Sequence, residues 1–187
     1  SAHFAQSYYA YDYLKHQIKN LYFLFDFQEK KKLKNSKIKN KKENLICYSH
    51  KSNEFIQLLK KISNEKFIEL KGFTSQKIIK VFKKTKIYID FGYHPGKDKM
   101  PREAVLFDNC ILTNYKGSAK NKFDIPISNK FKFRQKYNEL NKIDSLINYL
   151  FKNHKTELKK FVKYKKKVLD EEKVFKRQLL KIFFKAR

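Results

Sequence analysis

The sequence contains no tryptophan, four glycines, three prolines, one methionine and two cysteines among 187 residues. No phosphate-binding P-loop and no GxGxxG turn occurs in it. Both cysteines, Cys47 and Cys110, lie inside apolar runs, LIC and CIL, and no Cys/His cluster has zinc-ligand spacing. Buried free thiols in a reducing compartment are therefore expected. No stretch approaches the roughly 20 apolar residues that cross a bilayer, and the amino terminus has no signal-peptide pattern, so a cytoplasmic location is expected. The first residue is Ser1 rather than Met, within SAHFAQSYYAYDYL, which reads as structured sequence. A processed start or a piece of a longer polypeptide is expected from that.

Acidic residues are also scarce. The chain has 18 Asp and Glu against 45 Lys and Arg, a formal net charge of +27. That sign favours anionic partners: nucleotide phosphates, nucleic acid or an acidic membrane face. The competing explanation is compositional, because a bias toward Lys, Asn, Ile and Phe accompanies A/T-rich coding sequence. Two segments concentrate the charge: 29–43 has eight Lys and two Glu, and 152–187 has fourteen Lys and Arg and four acids. What is present in quantity is apolar and aromatic, 41% and 16% of residues, including 18 Phe and 12 Tyr. A disordered basic chain would not carry so much. The length suits one domain with extensions.

Apolar periodicity gives the organisation. Residues 5–14 read as a helix and 18–27 as a strand, and together 1–28 look like the trailing end of a preceding domain. The lysine-rich stretch 29–43 has no apolar period and reads as a linker. Then an alternation begins. Strands are expected at 44–48 (NLICY), 66–71 (KFIELK), 86–91 (KIYIDF) and 109–113 (NCILT), with 124–127 (DIPI) as a fifth. Between them, Asn53 caps a helix facing inward through Phe55, Leu58, Leu59 and Ile62, and Thr74 caps one facing inward through Ile78, Ile79 and Phe82. Pro101 takes the first position of a third helix. This spacing is that of βαβ units, so residues 44–138 are expected to form an α/β, Rossmann-like parallel sheet with helices on both faces. Residues 139–187 read as a long basic helical extension, with Leu158, Phe161, Val162, Val168, Leu169, Phe175, Leu179, Ile182 and Phe183 on one stripe. Its lysine side could face an anionic membrane surface, whereas packing on its own domain is the commoner outcome for such a stripe.

Parallel sheets bind ligands where loops leave the carboxyl ends of the strands. The loop after the third strand, with the helix it opens, is DFGYHPGKDKMPREAV. Gly92 and Gly96 bracket a turn where backbone can approach a ligand, and Lys97, Asp98 and Lys99 follow. Arg102 and Glu103 lie at the helix start, where free N–H groups favour an anion and a carboxylate can accept from a ribose diol. An ordinary acid compensating a helix dipole would look the same at Glu103. His50 and His94 also fall in loops at strand ends, whereas His3, His16 and His154 have no partner pattern.

The stretch YIDFGYHPGKDKMPREAVLFDNCILTNYKGSAKNKFDIPI resembles the C-terminal, nucleotide-sugar-binding domain of GT-B fold glycosyltransferases, in particular retaining bacterial enzymes of surface-polysaccharide synthesis. The resemblance covers roughly residues 44–133. It implies that Glu103 is the family's ribose-binding acid, with Lys51 the basic residue near the donor diphosphate. Gly72, Gly96, Lys97 and Arg102 complete that wall, and Gly117, Ser118 and Ala119 form the loop beyond the next strand. The earlier of the two acids found in many retaining members corresponds to Pro95, which leaves His94 and Asp98 as stand-ins at the donor sugar. The implied activity is transfer of a sugar from a nucleoside diphosphate sugar to a hydroxyl acceptor, a glycan or lipid-linked glycan, on the inner face of the cytoplasmic membrane. No cofactor or metal is implied, in keeping with the lack of a DxD-type pair. Two other readings remain open: a basic nucleic-acid-binding module using interleaved lysines and aromatics, as in FVKYKKK and NKFKF, and a catalytically silent donor-type domain acting as an interaction partner.

Overall fold

The computed structural model of the chain describes residues 1–28, 41–52 and 54–184. Most of the expected linker, and the helix cap expected at Asn53, lie outside the described residues. The main sheet contains β3 (Glu43–Tyr48), β4 (Lys66–Glu69), β5 (Thr85–Asp90), β6 (Cys110–Asn114) and β7 (Lys132–Phe133). All pairings are parallel, in the order β4-β3-β5-β6-β7. A separate sheet pairs β1 (His3–Ala5) with β2 (Leu21–Phe23), also in parallel.

The central strands are almost wholly buried, as strands covered on both faces must be. Ile46, Cys47, Ile87, Tyr88, Ile89, Cys110, Ile111 and Leu112 have no exposed surface. Alternation along β5 divides the core. Tyr88 meets Phe82 of α3 (Ser75–Lys84) edge-on at 5.6 Å, while Phe91 meets Phe55 of α2 (Glu54–Ile62) at 5.6 Å from the other side. Two layers of helix therefore enclose the sheet. Thr74 caps α3 as its position dictates, its Oγ1 accepting from Lys77 N at 3.3 Å. Asn109 seals the amino end of the sheet: its Oδ1 accepts from Thr85 Oγ1 at 2.8 Å and its Nδ2 donates to the carbonyls of Phe82 and Ala104. Both thiols are buried and unbridged, and burial pushes each up to about 12, so neither offers a thiolate near neutrality.

Several expectations are corrected. The first helix, α1 (Tyr8–Leu14), starts later than position 5, because Ala5 is paired in β1 and Ser7 Oγ caps the helix by accepting from Ala10 N. Strand pairing within 18–27 is limited to β2, for the Phe25 N–H is directed to Gln178 rather than to a neighbouring strand. On α2 the buried face is Phe55, Ile56 and Leu59, while Leu58 and Ile62 are exposed. The third helix, α4 (Lys99–Leu106), begins two residues before Pro101, whose missing N–H still costs nothing in the first turn. The fifth strand is β7 and not 124–127. There the Asp124 carboxylate accepts from the N–H groups of Tyr8 and Tyr9, and Pro126 lacks a ladder donor.

The final stretch is several helices, not one stripe. α5 (Leu140–Lys152), α6 (His154–Glu157) and α7 (Val162–Leu169) are followed by α8 (Glu171–Phe183). Each break resets the helical phase, so Phe161, Tyr164 and Val168 are buried while Val162, Leu169 and Phe183 are exposed. Among the described residues, no helix is long and apolar enough to cross a membrane.

Candidate functional site

The strand order reverses at β3, which is followed in sequence by β4 on one side and flanked by β5 on the other. Ligands of doubly wound sheets bind at such a reversal, outside the carboxyl ends of the two strands. The chain here is the turn 49–52 after β3 and the loop 91–98 after β5. Phe91 N donates to Ser52 Oγ at 3.0 Å, joining the two. They meet so closely that a Cβ on Gly92 would stand 2.6 Å from Lys51 Cβ. That contact explains the glycine.

A third loop, leaving β6, closes on the second. Gly117 has φ +57, and a Cβ there would lie 1.9 Å from the His94 carbonyl oxygen. Ser118 N donates to that same oxygen at 2.8 Å, and Ser118 Oγ donates to Gly96 O at 2.5 Å. Behind them, the buried Lys132 ammonium donates to the carbonyls of Ala119 and Ile125, and burial lowers it to about 8. Asn114 Nδ2 reaches Gly92 O at 2.7 Å, and Gln135 Nε2 reaches Phe91 O at 3.0 Å. The carbonyls of Phe91, Gly92, His94 and Gly96 are thus engaged in holding the shape of loop 91–98, as a preformed site requires.

Within this frame His94 is fully buried between two carboxylates. Its Nδ1 lies 2.6 Å from Asp98 Oδ2 and its Nε2 lies 3.5 Å from Asp90 Oδ1. Burial opposes charge on the imidazole, but the two carboxylates outweigh it and hold His94 above its ordinary value. Asp98, though burial works against its charge, is held below the usual carboxylate range by the His94 contact and Lys51. Burial raises Asp90, only partly offset by His94, Tyr88 and the Gly92 N–H. Tyr88 Oη donates to Asp90 Oδ2 at 2.6 Å. Asp90, His94 and Asp98 follow one another at intervals of four in the sequence.

A raised imidazole value contributes stability that is complete below its unfolded value, near 6.5, and is lost as pH rises through the folded one. The melting-temperature advantage of the wild-type chain over His94→Gln should therefore shrink between pH 6 and pH 8. An advantage constant across that interval would mean that folding leaves the proton affinity of the imidazole unchanged.

The expected site residues divide into two groups. Lys51, Gly96, Asp98, Gly117, Ser118 and Ala119 come together at the strand reversal, with Lys51 Nζ half-exposed and 3.8 Å from Asp98 Oδ1. Glu103, on α4, is buried and paired at 3.5 Å with the half-exposed Lys99. The side chain of Asp98, at the N-cap of α4, makes no hydrogen bond to the helix N–H groups. Gly72 has φ +67 in open surroundings after the edge strand β4. His50 is exposed.

Lys97 and Arg102 turn away from the reversal. Lys97 Nζ lies 2.8 Å from Glu171 Oε1 and donates to Asp26 O. Arg102 commits Nη1 to Glu171 and Nη2 to Asp26 and Lys97 O, with Nε on Asp98 O. Both cations, buried with Glu171, tie the loop to residues 1–28 and to α8. Sequence spacing carried no sign of Asp26 and Glu171, which lie 76 and 69 residues from Arg102.

No group of three or more His, Cys, Asp or Glu side chains placed to hold a metal ion occurs among the described residues. A cavity of about 780 Å³ lies at the opposite, amino-terminal end of the sheet. No family model, curated protein or solved structure matches this chain.

Proposed function

We propose that this chain is the nucleotide-sugar-binding domain of a GT-B type glycosyltransferase, transferring a sugar from a nucleoside diphosphate sugar to a hydroxyl acceptor. The observation that carries the reading is the convergence of the loops after β3, β5 and β6 at the strand reversal, with Lys51, the start of α4 and the Gly117–Ser118 turn side by side. In this reading the Lys51 ammonium and the first N–H groups of α4 take the diphosphate, where a fixed cation and oriented dipoles favour the leaving group. Glu103, held by Lys99, accepts from the ribose diol. His94, buried between the carboxylates of Asp90 and Asp98, acts as a positioning residue for the loop. Asp98, partly exposed, is the acid that the donor sugar meets.

Lys97 and Arg102 are assigned to the scaffold, since their donors are already engaged. Residues 1–28 would come from the acceptor side of the enzyme, fixed on the donor domain through Asp26 and Tyr8. An anionic membrane face would meet the lysines of the C-terminal helices and bring a lipid-linked acceptor within reach.

A thermal-shift screen with UDP, GDP, ADP, CMP and their sugars tests the reading. A ligand present at 100 times its Kd stabilises by about 2.7 kcal/mol, on the order of 5–10 °C for a chain of this size. One base should give such a shift, and Glu103→Ala should abolish it. A shift that survives the substitution removes Glu103 from the site; no shift with any nucleotide defeats the proposal.

A further inference from the structure

The amino-terminal end of the sheet gathers cations around a concavity. Residues preceding β3, the junction of α3 with β5, the turn before β6 and the end of α5 all meet there. The cavity, about 780 Å³, is lined by Lys41, Lys42, Lys83, Lys86, Lys152 and Lys155 above an apolar floor that includes Phe107 and Phe151. That volume lies within the range of small-ligand sites. Among the described residues Asp108 is the one acid in the lining, and its Oδ1 is already 2.5 Å from Lys165 Nζ.

Among the described residues, two of these cations have only neutral hydrogen-bond acceptors. Lys42 Nζ donates to Phe82 O at 2.7 Å and to Thr85 O at 2.6 Å. Lys86 Nζ donates to Asn44 Oδ1 at 2.6 Å and to Phe151 O at 3.0 Å. Burial lowers Lys42 to about 8, because carbonyl dipoles do not replace a counter-charge. His154, its Nε2 3.1 Å from Asp108 O, is also lowered, by burial and by Lys42 and Lys86. Lysines spread over a convex surface are each solvated separately. Lysines gathered around a cavity repel one another through a low-dielectric wall, and an anion inside relieves all of them together.

The geometry points to a second ligand site, at the end of the sheet opposite the strand reversal, that takes a compact polyphosphate, free or as the tail of a nucleotide. Adjacent phosphoryl groups suit this wall because its cations arrive from three separate segments, 41–42, 83–86 and 152–155, more than a single phosphate can reach. An open concavity of this volume accommodates a small ligand, whereas a nucleic-acid backbone requires a continuous basic track. The site stands independently of the nucleotide-sugar reading.

Calorimetric titration with inorganic tripolyphosphate tests the proposal, with adenosine triphosphate as a second arm to separate a free polyphosphate from a nucleotide. Saturable one-to-one binding is expected. Reversing two charges removes two charge-assisted contacts, so Lys83→Glu/Lys155→Glu should raise Kd by about tenfold or more. The control pair Lys173→Glu/Lys181→Glu on α8 should leave it within about twofold. The single variants Lys83→Glu and Lys155→Glu should each weaken binding and serve if the double variant does not fold. Absence of saturable binding, an equal loss in the control pair, or tighter and competing binding of a single-stranded oligonucleotide would each overturn the site.

Discussion

Replacing Glu171 by alanine is expected to destabilise the chain by about 3–5 kcal/mol, the usual loss when one partner of a buried ion pair is removed. Glu171 and Arg102 are both nearly inaccessible, and the carboxylate faces two cations, Arg102 Nη1 at 3.0 Å and Lys97 Nζ at 2.8 Å. Without it, two positive charges remain in the interior with only Asp26, whose side chain is 42% exposed and therefore screened. The same substitution should loosen loop 91–98, because Lys97 and Arg102 are the side chains that tie its far end to α8. Chemical denaturation of Glu171→Ala and Glu171→Gln measures the first effect. The amide keeps the shape and some hydrogen bonding, so it should lose less than the alanine. Equal stability of Glu171→Ala and the wild-type chain would mean that the network is not formed in solution.

The same network marks where sequence legibility ends. The alternation of strands and helices was readable because each central strand is buried on both faces and so appears as an unbroken apolar run, NLICY or NCILT, between polar stretches. β7 was not readable, being two residues long, and 124–127 imitated a strand because Ile125 and Ile127 are buried without any ladder. At the site, the family resemblance marked Lys51 and the Gly117–Ala119 turn, and strand-end position marked Gly96 and Asp98. It could not separate Lys51, at the surface, from Lys97 and Arg102. A cation near a helix start has the same sequence appearance whether its partner is a ligand phosphate or a buried carboxylate dozens of residues away. Nor could it find the amino-terminal cavity, since the six lysines come from separate segments and are ordinary solvated residues until the fold brings them together.

Gly117→Ala is expected to cost about 2–4 kcal/mol of stability and, in the proposed function, to abolish nucleotide-sugar binding. Two independent effects combine there. A left-handed conformation, φ +57, is one that alanine adopts at a cost of about 1 kcal/mol. The larger part is steric: the added Cβ would stand 1.9 Å from the His94 carbonyl oxygen and 2.6 Å from its carbon, which are backbone atoms and cannot rotate aside. Relief requires separating the 117–120 turn from loop 91–98, which breaks the Ser118 N–H bond to His94 O and the Ser118 hydroxyl bond to Gly96 O. Gly96→Ala is the matched control, for a Cβ there meets open space. It should leave the melting temperature nearly unchanged, so a chain in which both substitutions cost the same would contradict the close packing of these loops. Ligand titration of Gly117→Ala below its melting temperature then isolates the functional effect. Loss of the nucleotide-induced shift in a folded Gly117→Ala chain would tie binding to the juxtaposition of the two loops, whereas an undiminished shift would locate the nucleotide elsewhere.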